Sequence, residues 1–241
     1  MAVQDVLDTG VAHALIATGS HWRGNGRGRS FPGGVASYAN PRTLTPDQVL
    51  DGTRPKGPLV IFDDEGYHIA AGLADLLAAE GLDVTYVASA GLVAEWSSYT
   101  VEQARLQARW IEQGVKIITS HLVSGLTADA AQLTCAFTGR MSHIACGGFI
   151  PITSREPDDA LWLALQGRGL TTLERIGDAK APGLIAHAVH DGHRAGRGHI
   201  ELEMRLRVGR QHAAHDVGRG LVLKNAGVAA QREPMRPGRQ G

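Results

Sequence analysis

Two short segments far apart in the sequence each predict a strand that ends in a glycine turn. Residues 14–19 form an apolar run that stops at Thr18 and Gly19, and residues 173–179 form a second run that stops at Gly177 and Asp178. Open α/β sheets bind their ligands just beyond the carboxyl ends of such strands. The pair therefore predicts an α/β fold in which both strand ends supply one ligand-binding edge.

The residues at these two strand ends are candidate cofactor-binding residues. A carboxylate at Asp178 can accept hydrogen bonds from ribose or ribityl hydroxyls, and a helix predicted from about Gly183 offers unpaired amides to a phosphate. The alternative is that Asp178 only caps that helix. Because Thr18 and Gly19 provide a second strand end of the same kind, we favour nucleotide binding over capping.

A βαβ unit is predicted between these two segments. A strand over 58–63 leads into a helix with apolar residues at helical spacing, which ends near Gly81, and a second strand begins at Val84. The chain then continues through a helix over 100–113 and a strand over 115–119. A β-meander over 121–152 returns to the main sheet. These elements predict a Rossmann-like inner domain over residues 56–147.

The turn after the first strand of this inner domain argues against a dinucleotide ligand. A working fingerprint has glycines there, whereas this chain has Asp63, Asp64 and Glu65. Like charges at about 4 Å repel by about 1–4 kcal/mol, depending on the local dielectric. This exceeds the roughly 0.3–1 kcal/mol that a helix dipole contributes. We therefore expect a Rossmann-like fold without its usual ligand.

The inner domain is predicted to be nested in an incomplete outer nucleotide-binding domain, made of residues 1–55 and 148–198. Its elements include a loop over 19–43, a short helix that begins with a capping box at Thr45 and Gln48, a helix from Glu156 to about Leu165 and a last helix from about Gly183 to Arg197. Residues 199–241 contain eight Lys and Arg against four Asp and Glu and show weak periodicity. We predict a poorly ordered tail there.

The composition excludes several classes of function. The formal net charge is zero and the isoelectric point is near 7.2, so neither nucleic acid nor an anionic membrane is an expected partner. Two isolated cysteines form no disulfide framework, zinc ribbon or iron–sulfur site, and they fit a reducing, cytoplasmic setting. The sequence shows no apolar run of the roughly 20 residues that a membrane span requires.

No residue is predicted to be catalytic and none to bind a metal. His187, His190 and His193 recur every third residue, but no constellation of carboxylates or cysteines joins them, so a polar helix face is favoured over a metal site. The serines lack the Gly-x-Ser-x-Gly elbow of hydrolases.

Six segments together resemble one known family. They resemble the carboxyl-terminal nucleotide-binding region of the trimethylamine, dimethylamine and histamine dehydrogenases and related N-demethylases, and the resemblance extends over about residues 6–197. The segments are residues 15–23, 45–52, 62–64, 95–103, 176–186 and 191–194.

The resemblance implies a flavin-dependent amine dehydrogenase. In that family an amino-terminal barrel binds FMN and an iron–sulfur cluster, an outer domain binds ADP or FAD, and electrons pass to an electron-transfer flavoprotein. Barrel and cluster residues are absent from the sequence. The resemblance therefore implies a nucleotide-holding role and a partner chain or domain that provides the barrel. The residues that it places at the nucleotide are Thr18, Gly19, Gly177, Asp178, Leu184 and Ile185.

An NAD(P)H-dependent flavin oxidoreductase similar to dienoyl-CoA reductase, or a non-catalytic remnant of a longer reading frame, is the alternative. The family's first Gly-x-Gly-x-x-Gly strand–turn–helix has no counterpart in this sequence, so we expect the nucleotide pocket of an isolated chain to be empty unless another chain or domain complements it.

Overall fold

The computed structural model describes residues 2–210 and 220–224. The α-helices of this part of the chain are α1 (Val3–Leu7), α2 (Pro46–Leu50), α3 (His68–Ala79), α4 (Gln103–Glu112), α5 (Ala160–Leu165) and α6 (Ile185–Arg210). Its strands are β1 (His13–Ala17), β2 (Ser20–Trp22), β3 (Leu59–Asp63), β4 (Val84–Ala88), β5 (Lys116–Ile118), β6 (His121–Leu126), β7 (Ala130–Cys135), β8 (Met141–Ala145), β9 (Gly148–Ile152), β10 (Arg155–Pro157), β11 (Thr172–Arg175) and β12 (Gly220–Lys224).

The chain divides into two compact units. The middle unit contains residues 21–156, and the outer unit contains the described residues before and after this range. We predicted that residues 21–55 and 148–156 belong to the outer domain, but the structure has them in the middle unit. The reason is local pairing, since the Phe149 amide donates to Arg42 O at 2.9 Å and the Leu44 amide donates to Phe149 O at 2.8 Å.

The middle unit is built on an open parallel sheet with the strand order β5-β4-β3-β9. All five residues of β3 are buried, as expected for a parallel strand that is covered on both faces. Side chains alternate between the faces of a strand. Leu59 and Ile61 accordingly pack in the cluster that contains residues of α3 and α4. Val60 and Phe62 pack in a second cluster with residues of β6 and β7.

The second face of this sheet is covered by strands and a loop instead of helices. Strands β6, β7 and β8 form an antiparallel sheet, and Tyr38 from the preceding loop packs edge-on against Phe149 at 4.5 Å. The buried Tyr38 hydroxyl donates to Val123 O at 2.5 Å. A doubly wound nucleotide-binding sheet has helices on both faces, so the middle unit differs from that class in its layers.

The outer unit contains the parallel order β11-β1-β12. Ala14 and Ile16 of β1 pack with residues of α1 and α5. Leu15, on the opposite face of the same strand, packs with Ile176 and with Ala195 of α6. The small and branched apolar residues of β1 therefore join helices on both sides of the strand.

Several local predictions hold. Helix α2 begins at Pro46 with the expected capping box, because the Thr45 hydroxyl accepts from the Gln48 amide and the Gln48 side chain accepts from the Thr45 amide. The predicted meander is present as β6–β8, and β9 then returns to the main sheet.

Three local predictions differ from the structure. The predicted loop over 19–43 contains β2, and the segment from Glu156 belongs to β10, so α5 begins only at Ala160. The last helix continues to Arg210, because residues 200–207 are mostly strong helix formers. The predicted tail therefore includes the end of α6 and strand β12, and the rest of that prediction lies outside the described residues.

Candidate functional site

The predicted site residues meet at one edge of the outer unit. Strands β1 and β11 are parallel and in register from His13 opposite Thr172 to Ile16 opposite Arg175, so their carboxyl ends lie side by side. Thr18 and Gly19 follow β1, and the short 3₁₀ helix Gly177–Ala179 follows β11. We call this the β1/β11 edge.

Asp178 connects three segments at the β1/β11 edge. Its Oδ1 accepts from the Gly183 amide at 3.0 Å, and its Oδ2 accepts from the Ser20 hydroxyl at 3.2 Å. The carboxylate therefore ties the turn after β1 to the segment that leads into α6. Capping and ligand binding were the two predicted roles, and the bond to Gly183 shows that Asp178 supports the approach to the helix.

The two glycines at this edge adopt backbone conformations that side chains disfavour. Gly19 has φ of 90° and Gly177 has φ of 58°, both in the region that favours glycine. The Gly177 amide donates to Asp191 Oδ2 of α6 at 3.3 Å. These turns aim the chain directly from the ends of β1 and β11 into the segments that follow.

Thr18 has a structural contact that sequence reasoning did not reveal. Its hydroxyl donates to the backbone oxygen of Asp158, and the Asp158 amide returns a bond to Gly19 O at 2.9 Å. The threonine therefore fixes the end of β1 against the segment before α5. Nothing in the sequence pattern near residue 158 indicated this pairing.

Leu184 and Ile185 lie where α6 begins, and they are 43% and 84% exposed. Both residues were predicted to lie near a pyrophosphate, and in the structure the Leu184 amide donates to His187 Nδ1 at 3.0 Å. His187 thus acts as a cap for α6. Among the residues that the structure describes, no group of three or more His, Cys, Asp or Glu side chains could hold a metal ion.

The acidic turn of the middle unit, Asp63–Glu65, is largely buried. Asp63 Oδ1 accepts from the Glu65 and Gly66 amides at 3.1 and 2.7 Å, and Oδ2 accepts from the Tyr86 hydroxyl at 2.5 Å. Burial raises the pKa of the Asp63 carboxyl, and the bond from Tyr86 opposes that rise. Burial also raises the pKa of Glu65, against the attraction of Arg155.

The chain itself covers this acidic turn with its glycine- and arginine-rich segment, residues 23–30, which we call the arginine loop. The Ser30 amide and hydroxyl donate to Asp64 at 2.8 and 2.5 Å, and Arg29 Nε lies 3.9 Å from the same carboxylate. Asp64 is only 1% exposed. Its charge is therefore compensated from within the chain.

The arginine loop also contacts the ends of the two neighbouring strands. Arg29 donates to Ser89 Oγ after β4 at 3.0 Å, and the Thr153 hydroxyl after β9 donates to Arg27 O at 3.0 Å. A Cβ on Gly28 would lie 2.8 Å from Thr153 Cβ, so the loop approaches the sheet too closely for a larger residue. The loop thus occupies the place where an open α/β sheet binds a ligand.

These features have matches among known proteins. Residues 44–155 match the family model described as the OYE-like second alpha/beta domain. Most of the chain is also homologous to one amine dehydrogenase. Dimethylamine dehydrogenase from Hyphomicrobium sp. (strain x) is 32% identical over 227 residues, which is 82% of this chain and 30% of that protein.

Two solved structures show the same relationship. The 6-hydroxypseudooxynicotine amine oxidase from Pseudomonas geniculata N1 has 31% identity and a TM-score of 0.77, covering 81% of this chain and 30% of that one. Histamine dehydrogenase from Rhizobium sp. 4-9 has 32% identity and a TM-score of 0.76, covering 82% and 32%. The chain spans less than a third of the length of these relatives.

The predicted resemblance to dimethylamine and histamine dehydrogenases is confirmed, but the predicted fold class was wrong. We expected a Rossmann-like inner domain nested in an incomplete outer nucleotide-binding domain, whereas the matching family is the OYE-like second alpha/beta domain. The physical reason lies in the middle unit. One face of its sheet carries an antiparallel sheet, and its carboxyl edge is occupied by the arginine loop. None of the described helices is both long and apolar enough to cross a lipid bilayer.

Proposed function

We propose that this chain is part of an amine-oxidising flavoprotein dehydrogenase, in which it holds the adenylate part of ADP or FAD and performs no hydride transfer. As partners we propose the chain or domain that supplies FMN and the iron–sulfur cluster, and an electron-transfer flavoprotein as acceptor. The convergence of Thr18, Gly19, Gly177 and Asp178 at the β1/β11 edge supports the nucleotide role.

The residues at this edge fit a ribose or ribityl diol. A carboxylate at the carboxyl end of a parallel strand is the kind of group that accepts hydrogen bonds from ribose hydroxyls in nucleotide-binding sheets. Asp178 has this position, beside the end of β1. Hydrogen bonds from the sugar hydroxyls to the Asp178 carboxylate would orient the sugar across the ends of β1 and β11. They would thereby hold the adenylate part of the ligand.

The same edge fits a pyrophosphate poorly. The Leu184 amide already donates a hydrogen bond to His187 and is therefore not available to a phosphate. The other neighbour of β1 in the sheet is β12. Within the described residues, then, the edge recognises the sugar better than the phosphates. We expect an affinity for ADP in the millimolar range, about −4 kcal/mol, and no measurable affinity for inorganic pyrophosphate.

Calorimetric titration of the purified chain with ADP tests this proposal. Asp178→Asn retains an acceptor for Gly183 but removes the charge, and a hydrogen bond to a charged group contributes about 1.5–3 kcal/mol. The affinity should therefore fall about tenfold or more. Asp8→Asn, an exposed acid in α1's C-terminal turn, is the matched control and should bind ADP as the parent does.

Two results would contradict the proposal. One is an ADP affinity that Asp178→Asn leaves unchanged. The other is a complete absence of binding at ADP concentrations well into the millimolar range.

A titration with NADH separates this function from that of a nicotinamide-dependent flavin reductase. The arginine loop covers the carboxyl edge of the middle unit and Asp64 is nine-tenths or more buried. We therefore expect no NADH binding there. A saturable NADH signal that Asp64 substitutions alter would favour the reductase.

A further inference from the structure

A cavity of about 280 Å³ lies within the middle unit, at the amino ends of its parallel strands. Pro58 and Asp83 line it just before β3 and β4, Lys116 lines it at the start of β5, and Ile144 and Ala145 line it from the end of β8. It is therefore at the edge of the sheet opposite to the acidic turn and the arginine loop. We call it the amino-edge cavity.

Most of the wall of this cavity is apolar. Ile118 and Ile144 pack against the core cluster that contains Val60 and Phe62, and Pro58 and Ala145 extend the apolar lining. An apolar cavity of about 150 Å³ is large enough to bind benzene. The amino-edge cavity is larger, so it accommodates a single ring that carries a substituent.

The polar group that matters inside the cavity is the hydroxyl of Thr85. Val84 and Tyr86 pack in the cluster with α3 and α4, and Val87 packs in the other cluster. Because side chains alternate along a strand, Thr85 shares the face of Val87. Thr85 is only 7% exposed, and its hydroxyl bonds to no group in residues 2–210 and 220–224.

A buried hydroxyl of this kind indicates a partner inside the cavity. Threonine is common in strands for its branched shape, so the residue type alone indicates nothing. The large majority of buried side-chain polar atoms have a hydrogen-bond partner, however, and leaving one unsatisfied is costly. Since the described chain supplies no partner for Thr85, a water molecule or a ligand atom in the cavity must do so.

The charged residues of the cavity neutralise each other. Lys116 lies opposite Thr85 in the register of β5 and β4, and its Nζ donates to Asp83 Oδ1 and Oδ2 at 2.9 and 3.2 Å. The two side chains are 63% and 51% exposed, so this ion pair lies on the solvent side of the cavity. A charged ligand would have to compete with one member of the pair, whereas a neutral ligand leaves the pair intact.

We propose that the amino-edge cavity binds a small neutral ring compound that carries one hydrogen-bonding group. The ring contacts Ile118 and Ile144, and the polar group bonds to the Thr85 hydroxyl, which can both donate and accept. A rigid ring has little conformational freedom to lose on binding. The proposal is independent of the nucleotide role, because every residue that it uses lies in the middle unit.

A titration of the whole chain with phenol tests this site, and isoleucine methyl groups labelled with ¹³C report by NMR where the ring binds. We expect saturable shifts of the Ile118 and Ile144 methyl signals, with a dissociation constant of about 1 mM or below. Ile61, which packs in the cluster on the other face of the sheet, should not respond. Benzoate has the same ring with a charge and should bind at least about tenfold more weakly than phenol.

A variant with a matched control then tests the hydrogen bond. Thr85→Val retains the branched shape without the hydroxyl, and toluene has a methyl group where phenol has its hydroxyl. Thr85→Val should lower the phenol affinity about fivefold and should not lower the toluene affinity. Thr134 of β7 does not line the cavity, and its hydroxyl donates to Ser124 Oγ at 2.8 Å. Thr134→Val should therefore leave both affinities unchanged, and circular dichroism verifies that each variant is folded.

Four results would overturn the proposal. The first is no saturable shift up to about 10 mM phenol, which would mean that the cavity holds water only. The second is a shift at Ile61 as large as those at Ile118 and Ile144, which would indicate nonspecific binding. The third is equal affinity for benzoate and phenol, and the fourth is an equal loss of phenol and toluene affinity in Thr85→Val. The first three are measured on the parent chain and do not depend on the folding of a variant.

Discussion

The outer and middle units each place a carboxylate at the carboxyl ends of parallel strands, but the two carboxylates have different surroundings. Asp178 at the β1/β11 edge is half-buried and accepts from the Ser20 hydroxyl and the Gly183 amide. Asp64 in the acidic turn is fully buried and accepts two bonds from Ser30 of the arginine loop. Asp178 is therefore partly accessible to solvent, whereas the chain itself covers Asp64.

The difference teaches that strand topology alone does not determine a binding site. Parallel strands supply the edge in both units, and a segment from elsewhere in the chain decides whether a ligand can reach it. In the middle unit that segment contains closely spaced glycines, and Gly28 allows the backbone to approach Thr153. Substitutions at the two edges should accordingly affect different properties.

The largest effect is expected from Asp64→Ala. The substitution leaves the Ser30 amide and hydroxyl without their acceptor, and each unsatisfied donor in a buried setting costs about 1–3 kcal/mol. We expect the free energy of unfolding to fall by about 2–4 kcal/mol, measured by urea denaturation. Ser30→Ala, which removes only the hydroxyl bond, should cost about 1 kcal/mol. A loss below about 0.5 kcal/mol for Asp64→Ala would mean that the arginine loop does not bury the acidic turn.

Gly28→Ala should give the next largest effect. The new Cβ would lie 2.9 Å from the backbone oxygen of Thr153 as well as close to its side chain, and backbone atoms do not move aside cheaply. Overpacking of this kind costs about 1–3 kcal/mol. Gly33→Ala, three residues after the arginine loop, meets nothing within 4 Å and serves as the control. Equal stability of the two variants would show that the loop does not press on the sheet.

The carboxyl ends of the parallel strands could be predicted from the sequence better than the segments that cover them. Strands β1, β3 and β4 were predictable because their apolar runs end in recognisable turns, and Thr45 with Gln48 gave the start of α2. The contact between Ser30 and Asp64 spans 34 positions, and no local periodicity indicates such a pairing. The opposite charges of residues 23–30 and 63–65 were the one available signal.

The candidate site shows the same division. Thr18, Gly19, Gly177 and Asp178 were placed at one edge by the rule that parallel strands end together, and the structure brings them together. The use of the Leu184 amide by His187 could not be predicted, because three histidines at regular spacing suggested only a polar face. Whether a side chain accepts a hydrogen bond from an amide at a helix start depends on its rotamer, which the sequence does not specify.

The stability of the middle unit should also depend on pH. Burial raises the pKa of Asp63 and of Glu65, so the folded state holds these protons more tightly than the unfolded state does. Stability should therefore fall as the pH rises from the ordinary carboxyl range, about 4, through the folded pKa values. Urea denaturation at several pH values measures the slope. Asp63→Asn should make the slope shallower without abolishing it, since Glu65 remains, and an unchanged slope would contradict the prediction.

The smallest effect on stability is expected from Asp178→Ala, although this residue is central to the proposed nucleotide site. Its loss frees the Gly183 amide and the Ser20 hydroxyl, but both lie at a half-buried edge where water can replace the carboxylate, so we expect a cost of about 1 kcal/mol or less. Urea denaturation beside Asp64→Ala measures the contrast, and hydrogen exchange at the Gly183 amide should become faster. If Asp178→Ala destabilised the protein as much as Asp64→Ala, both carboxylates would be structural, and the difference in burial between the β1/β11 edge and the acidic turn would have no consequence for stability.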